Sequence, residues 1–329
     1  MRIKAVAWTL PVVAAVLCAL AMAPAVSRDT SGNPDREWTG TLKRIKETGV
    51  ISVGHRELSV PFSYYDENHQ VVGYSIDIGD RLIDAVARAL GVDKLERKYV
   101  LVTSANRIPL LLSGGIDLEC GSTTNTTERQ KEVAFTYTHF VAANRFVSKK
   151  SNNYKKLTDL AGKSVAAITG TPASKQLNTL NTDRELGLII TTVKDASEGF
   201  QMVVSGSAAA FVTDSVVLAG LVTNTEIPAD YVLSEEALSV APYACMMRKG
   251  EPEFEDLIDE SMLTLLRDGT VERLYDKWFM KPIPPDNKIL NIPMSRELRG
   301  AIDYPTTSGD PKNYLPPGTE DMSGRREGE

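Results

Sequence analysis

Apolar residues are distributed along this chain in two alternating spacings. Short continuous runs such as Val50-Ile51-Ser52-Val53-Gly54 are bounded by turn residues and read as buried strands. Between them, apolar positions recur at helical spacing: Ile78, Leu82, Ile83, Val86 and Leu90 predict a helix over 76–90, stopped by Gly91. The rhythm continues with a strand at 100–103, a short helix at 104–112, a strand at 116–121 and a long apolar strand at 140–148. A second round follows: strand 165–169, helix 173–180, strand 188–193, helix 197–205, strand 208–213 and helix 215–221. Short strands at 231–233 and 243–248 precede a stripe of Phe254, Leu257, Ile258, Met262, Leu265 and Leu266 that predicts a helix ending at Gly269. A further short helix holds Leu274 and Trp278. Strand and helix in alternation predict an α/β chain with parallel-rich sheets in two lobes. The polar stretch 27–40 reads as flexible. From Pro282 onward repeated Pro and few large apolar residues after Leu298 predict a surface-hugging extension that finishes disordered.

One apolar run fits neither spacing. Arg2 and Lys4 precede residues 5–22, rich in Ala, Val and Leu, and Ala23-Pro24-Ala25 closes the run with small residues at the spacing a signal peptidase reads. Cleavage after Ala25 is expected, in preference to an uncleaved anchor, because Pro11 interrupts the run and its end is made of small residues. Lipid modification of Cys18 is disfavoured by Leu17, where a small residue is required. Export also changes the charge and the cysteine count. The chain carries 37 Lys+Arg and 43 Asp+Glu, a net charge of −6 that becomes −8 once Arg2 and Lys4 are removed. An acidic chain with no basic run lacks the footprint of a nucleic-acid binder. The mature chain keeps Cys120 and Cys245, which in an oxidising compartment form either a disulfide or two buried thiols.

Several motifs fail on inspection. Gly162-Lys163-Ser164 imitates the end of a phosphate loop, but Leu157 stands where the first Gly belongs and a strand follows, so a tight turn is expected. Asn125-Thr126-Thr127 fits a glycosylation sequon. His55, His69 and His139 are scattered, with no acidic partner at metal-site spacing, so no metal site is expected. No G-x-S-x-G elbow nominates a nucleophile.

The ends of the predicted strands are more informative, because ligands of α/β sheets bind beyond the C-terminal ends of strands, beside helix N-termini that favour anions. Those ends carry His55-Arg56-Glu57, Thr103-Ser104-Ala105-Asn106-Arg107 and Gly121-Ser122-Thr123-Thr124-Asn125. In the second round they carry Thr169-Gly170-Thr171-Pro172-Ala173 and Thr213-Asp214-Ser215. Singly, Ser104, Ser215 and Asp214 read as helix caps and Arg56 and Arg107 as surface charges. Together they supply two guanidiniums, several hydroxyls and one carboxylate, which suits a ligand with two carboxylates and one ammonium.

Gly54-His55-Arg56-Glu57, Val60-Pro61-Phe62-Ser63-Tyr64-Tyr65-Asp66, Asn106-Arg107-Ile108-Pro109-Leu110-Leu111 and Glu119-Cys120-Gly121-Ser122-Thr123-Thr124-Asn125 resemble the glutamate/aspartate-binding members of bacterial solute-binding protein family 3. So do Val72-Gly73-Tyr74-Ser75, Glu128-Arg129-Gln130-Lys131 and Asp276-Lys277-Trp278-Phe279, and the resemblance spans residues 42–285. These are the periplasmic receptors of ABC transporters. The resemblance implies a type II periplasmic binding protein fold, with two α/β lobes joined by two crossover strands around a ligand cleft. It divides the chain into a signal peptide (1–25), a flexible leader (26–40), lobe one (41–138, with a return over 237–286), lobe two (139–236) and a C-terminal extension (287–329). By position, it implies that Arg107, Ser122 and Thr124 bind carboxylate and that Arg56 with Ser104 favours an acidic side chain. Thr171 adds a hydrogen bond, Asp214 holds the α-ammonium, and Cys120 and Cys245 form a disulfide. One position departs: after Lys194-Asp195 the family carries a ligand-contacting His, and here stands Ala196.

The expectation is therefore a non-catalytic, monomeric periplasmic receptor for L-glutamate or L-aspartate. It needs no cofactor and no nucleic acid, and it delivers its ligand to an inner-membrane permease. Two other readings remain: broader specificity that includes glutamine and asparagine, and a cyclohexadienyl-dehydratase-like enzyme using Glu57 or Glu119 as acid.

Overall fold

The computed structural model describes residues 37–314; the expected signal peptide, Cys18, nearly all of the polar leader and the end of the extension lie outside them. Two main sheets organise the described chain. The first is ordered Glu96–Leu101, Val50–His55, Leu118–Glu119, Met246–Arg248 and Val133–Phe135, its first three strands parallel and its last two pairings antiparallel. The second is ordered Ile189–Val193, Ser164–Ile168, Ala210–Asp214, Phe140–Lys149 and Tyr231–Leu233, with Ser239–Tyr243 added alongside Phe140–Lys149. A small antiparallel sheet of Leu58–Ser59, Ser63–Tyr65 and Val71–Val72 sits beside the first.

The helical spacing read from the sequence explains how these sheets are covered. The helix Tyr74–Leu90 buries Ile78, Leu82, Ile83, Val86 and Leu90, and Gly91 ends it in the left-handed region at φ 69°, its N–H reaching back to Ala87 O. The helix Pro252–Arg267 buries Phe254, Ile258, Met262 and Leu266 in one continuous core with it. The apparent phosphate loop is the tight turn expected, with Gly162 at φ 72° immediately before the strand Ser164–Ile168. His139 is a core histidine, fully buried.

Strands of the first sheet come from before residue 140 and after residue 243, while those of the second come from between. The chain therefore crosses between the two α/β lobes twice, along one antiparallel ladder running from Phe140 opposite Tyr243 to Asn144 opposite Ser239. The single strand expected over 243–248 is in fact two, Ser239–Tyr243 and Met246–Arg248, one in each sheet. Pro242 obscures the first of them. Having no N–H, it is tolerated because its polar edge faces away from the Phe140–Lys149 ladder, where its carbonyl accepts the Asn125 N–H at 2.8 Å. The helix Gly40–Thr48 adds to those the spacing predicts, with Thr41, Leu42 and Ile45 as its buried face.

Within the described residues the extension holds a helix that its composition does not predict. Ser295 caps the helix Arg296–Asp303 by accepting the Leu298 N–H at 3.1 Å, and Leu298, Ala301 and Ile302 are buried. Beyond it the chain is pinned to the first lobe: Thr138 N–H donates to Thr306 O at 3.0 Å, the Asn125 amide to Thr307 O at 2.9 Å, and the hydroxyls of Thr138 and Tyr314 lie 2.7 Å apart. Asn125, the expected sequon, is fully buried by this contact.

Cys120 and Cys245 are joined in a disulfide, with Cα atoms 4.4 Å apart and a sequence separation of 125. Closing so long a loop removes unfolded-state entropy worth up to about 4–5 kcal/mol. The double variant Cys120→Ser, Cys245→Ser is therefore expected to lower the urea midpoint and to steepen the slope, because the denatured chain without the bridge is more expanded. An unchanged midpoint would show that the bridge contributes nothing to stability.

Candidate functional site

Parallel strands put their C-terminal ends on one side of a sheet, and here both sheets turn that side to the same cavity. From the first lobe, Arg56 follows the strand Val50–His55, Ser104 and Arg107 follow Glu96–Leu101, and Ser122 and Thr124 follow Leu118–Glu119. From the second, Thr171 follows Ser164–Ile168, Ala196 follows Ile189–Val193, and Asp214 ends Ala210–Asp214. All seven residues expected at the site line this cavity, together with Ser59, Ile168, Thr213 and Val217. The remaining free volume is about 30 Å³, on the scale of a water molecule or two. An amino acid can enter only if the lobes part.

Local hydrogen bonds hold the cavity's polar groups in place. Arg56 donates its backbone N–H to Ser63 Oγ at 2.9 Å and its Nη1 to Ser104 Oγ at 3.0 Å. Arg107 is 2 % exposed; its Nη1 donates to Thr123 Oγ1 and lies 3.6 Å from Glu119 Oε1. Thr123 donates its own hydroxyl proton to Glu119 Oε2 at 2.5 Å, so a buried carboxylate braces the guanidinium from behind. Arg107 Nε is buried and has no hydrogen-bond partner among the described residues, a donor whose desolvation is uncompensated until an acceptor reaches it. Thr171 Oγ1 donates to Ile168 O at 2.8 Å and accepts the Ser174 N–H at 3.2 Å, fixing the start of the helix Pro172–Asp183.

Asp214 accepts a hydrogen bond from Tyr243 Oη. Burial pushes its carboxyl up to about 6, against the opposing pull of Tyr243, Arg107 and Arg129. Burial, reinforced by Arg107, pulls Arg56 down to about 10. Arg129 is buried beside these groups. The cavity lining thus carries two guanidiniums, Arg56 and Arg107, against one carboxylate, Asp214, one positive charge in excess, while the buried pair Arg129 and Glu119 behind it offset each other.

Sequence reasoning misses Arg129, Tyr243 and the bracing pair Thr123 and Glu119. Arg129 enters the sequence analysis only within Glu128-Arg129-Gln130-Lys131, a stretch that resembles the family and implies no contact for it, and Tyr243 falls at the start of an expected strand. Nothing local in the sequence signals either role. The two candidate acids for dehydratase chemistry do not line the cavity. Glu57 is exposed on an outer groove of about 870 Å³, and Glu119 is fully buried behind Arg107.

Two α/β lobes joined by a two-stranded crossover, with polar strand ends meeting in a cleft, define the class of type II periplasmic binding proteins. Residues 51–281 match bacterial extracellular solute-binding proteins, family 3, and the chain belongs to that family. It is 42 % identical over 293 residues to the L-glutamate/L-aspartate-binding protein of Pseudomonas aeruginosa, covering 89 % of this chain and 94 % of that one. It is 41 % identical over 265 residues to the glutamate/aspartate import solute-binding protein of Escherichia coli K12, covering 80 % and 88 % of the two chains. Among solved structures, it superposes with a TM-score of 0.62 on an ancestral amino-acid-binding protein described as a precursor of cyclohexadienyl dehydratase. The two are 30 % identical, over 73 % of this chain and 99 % of that one.

Proposed function

We propose that this protein is the periplasmic receptor of an ABC transporter for L-glutamate and L-aspartate, capturing the ligand between residues 41–138 with 237–286 on one side and 139–236 on the other. The observation that carries this reading is the cavity's charge inventory: one net positive charge, complementary to an acidic amino acid, which carries two carboxylates, one ammonium and a net charge of −1. The names of the related proteins from Pseudomonas aeruginosa and Escherichia coli support the same ligand pair. Arg107, with its unpartnered Nε, Ser122 and Thr124 take the α-carboxylate. Arg56 and Ser104 take the side-chain carboxylate, Asp214 takes the ammonium, and Thr171 adds a contact from the second lobe. A ligand that touches both lobes binds their closed arrangement better and shifts the population toward it, and an inner-membrane permease then recognises the closed shape.

Calorimetry on the mature chain tests the assignment. Glutamate, aspartate or both are expected to bind at least about a hundredfold more tightly than glutamine, since an uncharged amide leaves the Arg56 guanidinium without its charged partner. Arg56→Met is expected to erase most of that difference while leaving some amino-acid binding. Wild-type protein binding glutamine as tightly as glutamate would overturn the role of Arg56.

The enzymatic reading has a structural relative behind it but no suitably placed acid among Glu57, Glu119 and Asp214. The first two lie off the cavity, and Asp214 is engaged by Tyr243 and committed to an ammonium. Prephenate incubated with the protein is expected to remain unchanged; a new phenylpyruvate chromophore would reverse that conclusion.

A further inference from the structure

Arg129 connects the two ligand-contacting loops of opposite lobes through a single side chain. It opens the short 3₁₀ turn Arg129–Lys131, with its backbone N–H donated to Thr126 Oγ1 at 3.2 Å. From there its Nη1 donates to the carbonyl of Thr124 at 2.8 Å, and its Nη2 to the carbonyl of Gly170 at 3.1 Å. Thr124 belongs to the first lobe's share of the cavity. Gly170 immediately precedes Thr171 in the second lobe's share.

The loop at Gly170 lies in van der Waals contact with the first lobe. The Gly170 φ of +75° lies in the region open to glycine, and its Cα is placed so that an added Cβ would stand 3.6 Å from Ala105 Cα and from Ser104 O of the first lobe. Arg129 is 8 % exposed and its charge is deeply desolvated; burial, with Arg107 next, pulls its pKa down to about 9. One residue earlier, Glu128 pairs with Lys175 on the helix Pro172–Asp183, a second and solvent-exposed bridge between the same two segments. Thr124 is also tied to the crossover ladder, forming an isolated bridge with Tyr243, whose hydroxyl holds Asp214. A line of contacts thus runs from Gly170 through Arg129, Thr124 and Tyr243 to Asp214.

We propose that Arg129 is a positioning residue that latches the closed state, coupling the carboxylate-binding loop of one lobe to the Thr171 loop of the other. This inference rests on the closure reading of the proposed function. The Thr124 contact lies within the first lobe and survives opening, whereas the Gly170 contact can form only when the lobes meet. The latch therefore stabilises closure without touching the ligand. Burying a third guanidinium beside Arg56 and Arg107 also penalises closure around an uncharged cavity, and an anionic ligand offsets that penalty.

Arg129→Lys is the informative variant, because it keeps the buried charge but replaces a planar fork by a point donor that cannot span both carbonyls. The Kd values for glutamate and aspartate are expected to rise by the same factor, about tenfold or more, with the change in the dissociation rate and the association rate nearly preserved. A dye pair placed one on each lobe should report a smaller closed fraction at saturating ligand. Unchanged affinity and unchanged closure in the variant would overturn the latch, and so would a change in the glutamate-to-aspartate ratio, which would place Arg129 on the ligand itself. If Arg129→Lys folds poorly, Lys175→Ala with Glu128→Ala breaks the exposed bridge of the same contact, and an effect of the same sign but smaller size is expected. Failure of the wild-type protein to bind any acidic amino acid would instead defeat the functional reading. The dye-pair distance in unliganded wild-type and variant protein still tests the latch in that case, where an identical distance distribution overturns it.

Discussion

Arg107→Met is expected to abolish measurable binding of every amino acid, acidic or not, by raising Kd about a thousandfold. The guanidinium is almost wholly buried, braced through Thr123 and Glu119, and presents a desolvated Nε without a partner among the described residues. Truncating one member of a buried, hydrogen-bonded charge pair costs about 2–5 kcal/mol, and the α-carboxylate it faces is common to all amino acids. The same substitution also strips Glu119 of its cation, and breaking a buried ion pair destabilises a fold by about 3–5 kcal/mol. Lost binding could then be confused with lost structure. The double variant Arg107→Met, Glu119→Gln separates them, since it removes the stranded charge while leaving the cavity without its fork. It is expected to recover much of the thermal stability and none of the binding. Calorimetry and a thermal melt on the single and double variants decide the matter. Restored binding in the double variant would show that Arg107 serves the fold rather than the ligand.

The residues such a test targets are legible in the amino-acid sequence itself. Arg56, Thr171 and Asp214 follow or end strands with a clear apolar run, and the geometry of parallel strands gathers such ends on one rim; the strand before Ser104 and Arg107 begins at the charged residues Glu96-Arg97-Lys98, so the apolar run at 100–103 marks only its end. What stays hidden depends on contacts distant in sequence. Tyr243 faces Asp214 only because two crossover strands pair across the gap between lobes, and Pro242 disguises one of those strands. Arg129 lies in a run of charges whose burial is created by the second lobe's loop at Gly170. The helix Arg296–Asp303 has only a short stripe of Leu298, Ala301 and Ile302, weak as periodicity, and it is held by the lobes it covers rather than by its own propensity.

Asp214→Asn is expected to weaken glutamate binding by about two orders of magnitude or more and to remove most of its dependence on pH. The wild-type carboxyl is pushed up to about 6 because burial disfavours its charge more than Tyr243, Arg107 and Arg129 support it. An ammonium brought against it reverses that balance, since an opposite charge within contact favours the ionised form. The sign follows from the proton count. Above about pH 7 the carboxyl is already ionised, binding moves no proton there, and affinity is flat. Below about 6 the unliganded cavity holds a proton that the ammonium must expel, so Kd rises by up to about tenfold per pH unit. The ligand's own side-chain carboxyl ionises near pH 4, so between pH 5 and 6 the ligand stays charged and the loss belongs to the protein. Calorimetry at pH 5.5 in two buffers of different ionisation enthalpy should then register proton release on binding to the wild type and none on binding to Asp214→Asn. Equal proton release in both would place the titrating group elsewhere and remove the ammonium from Asp214.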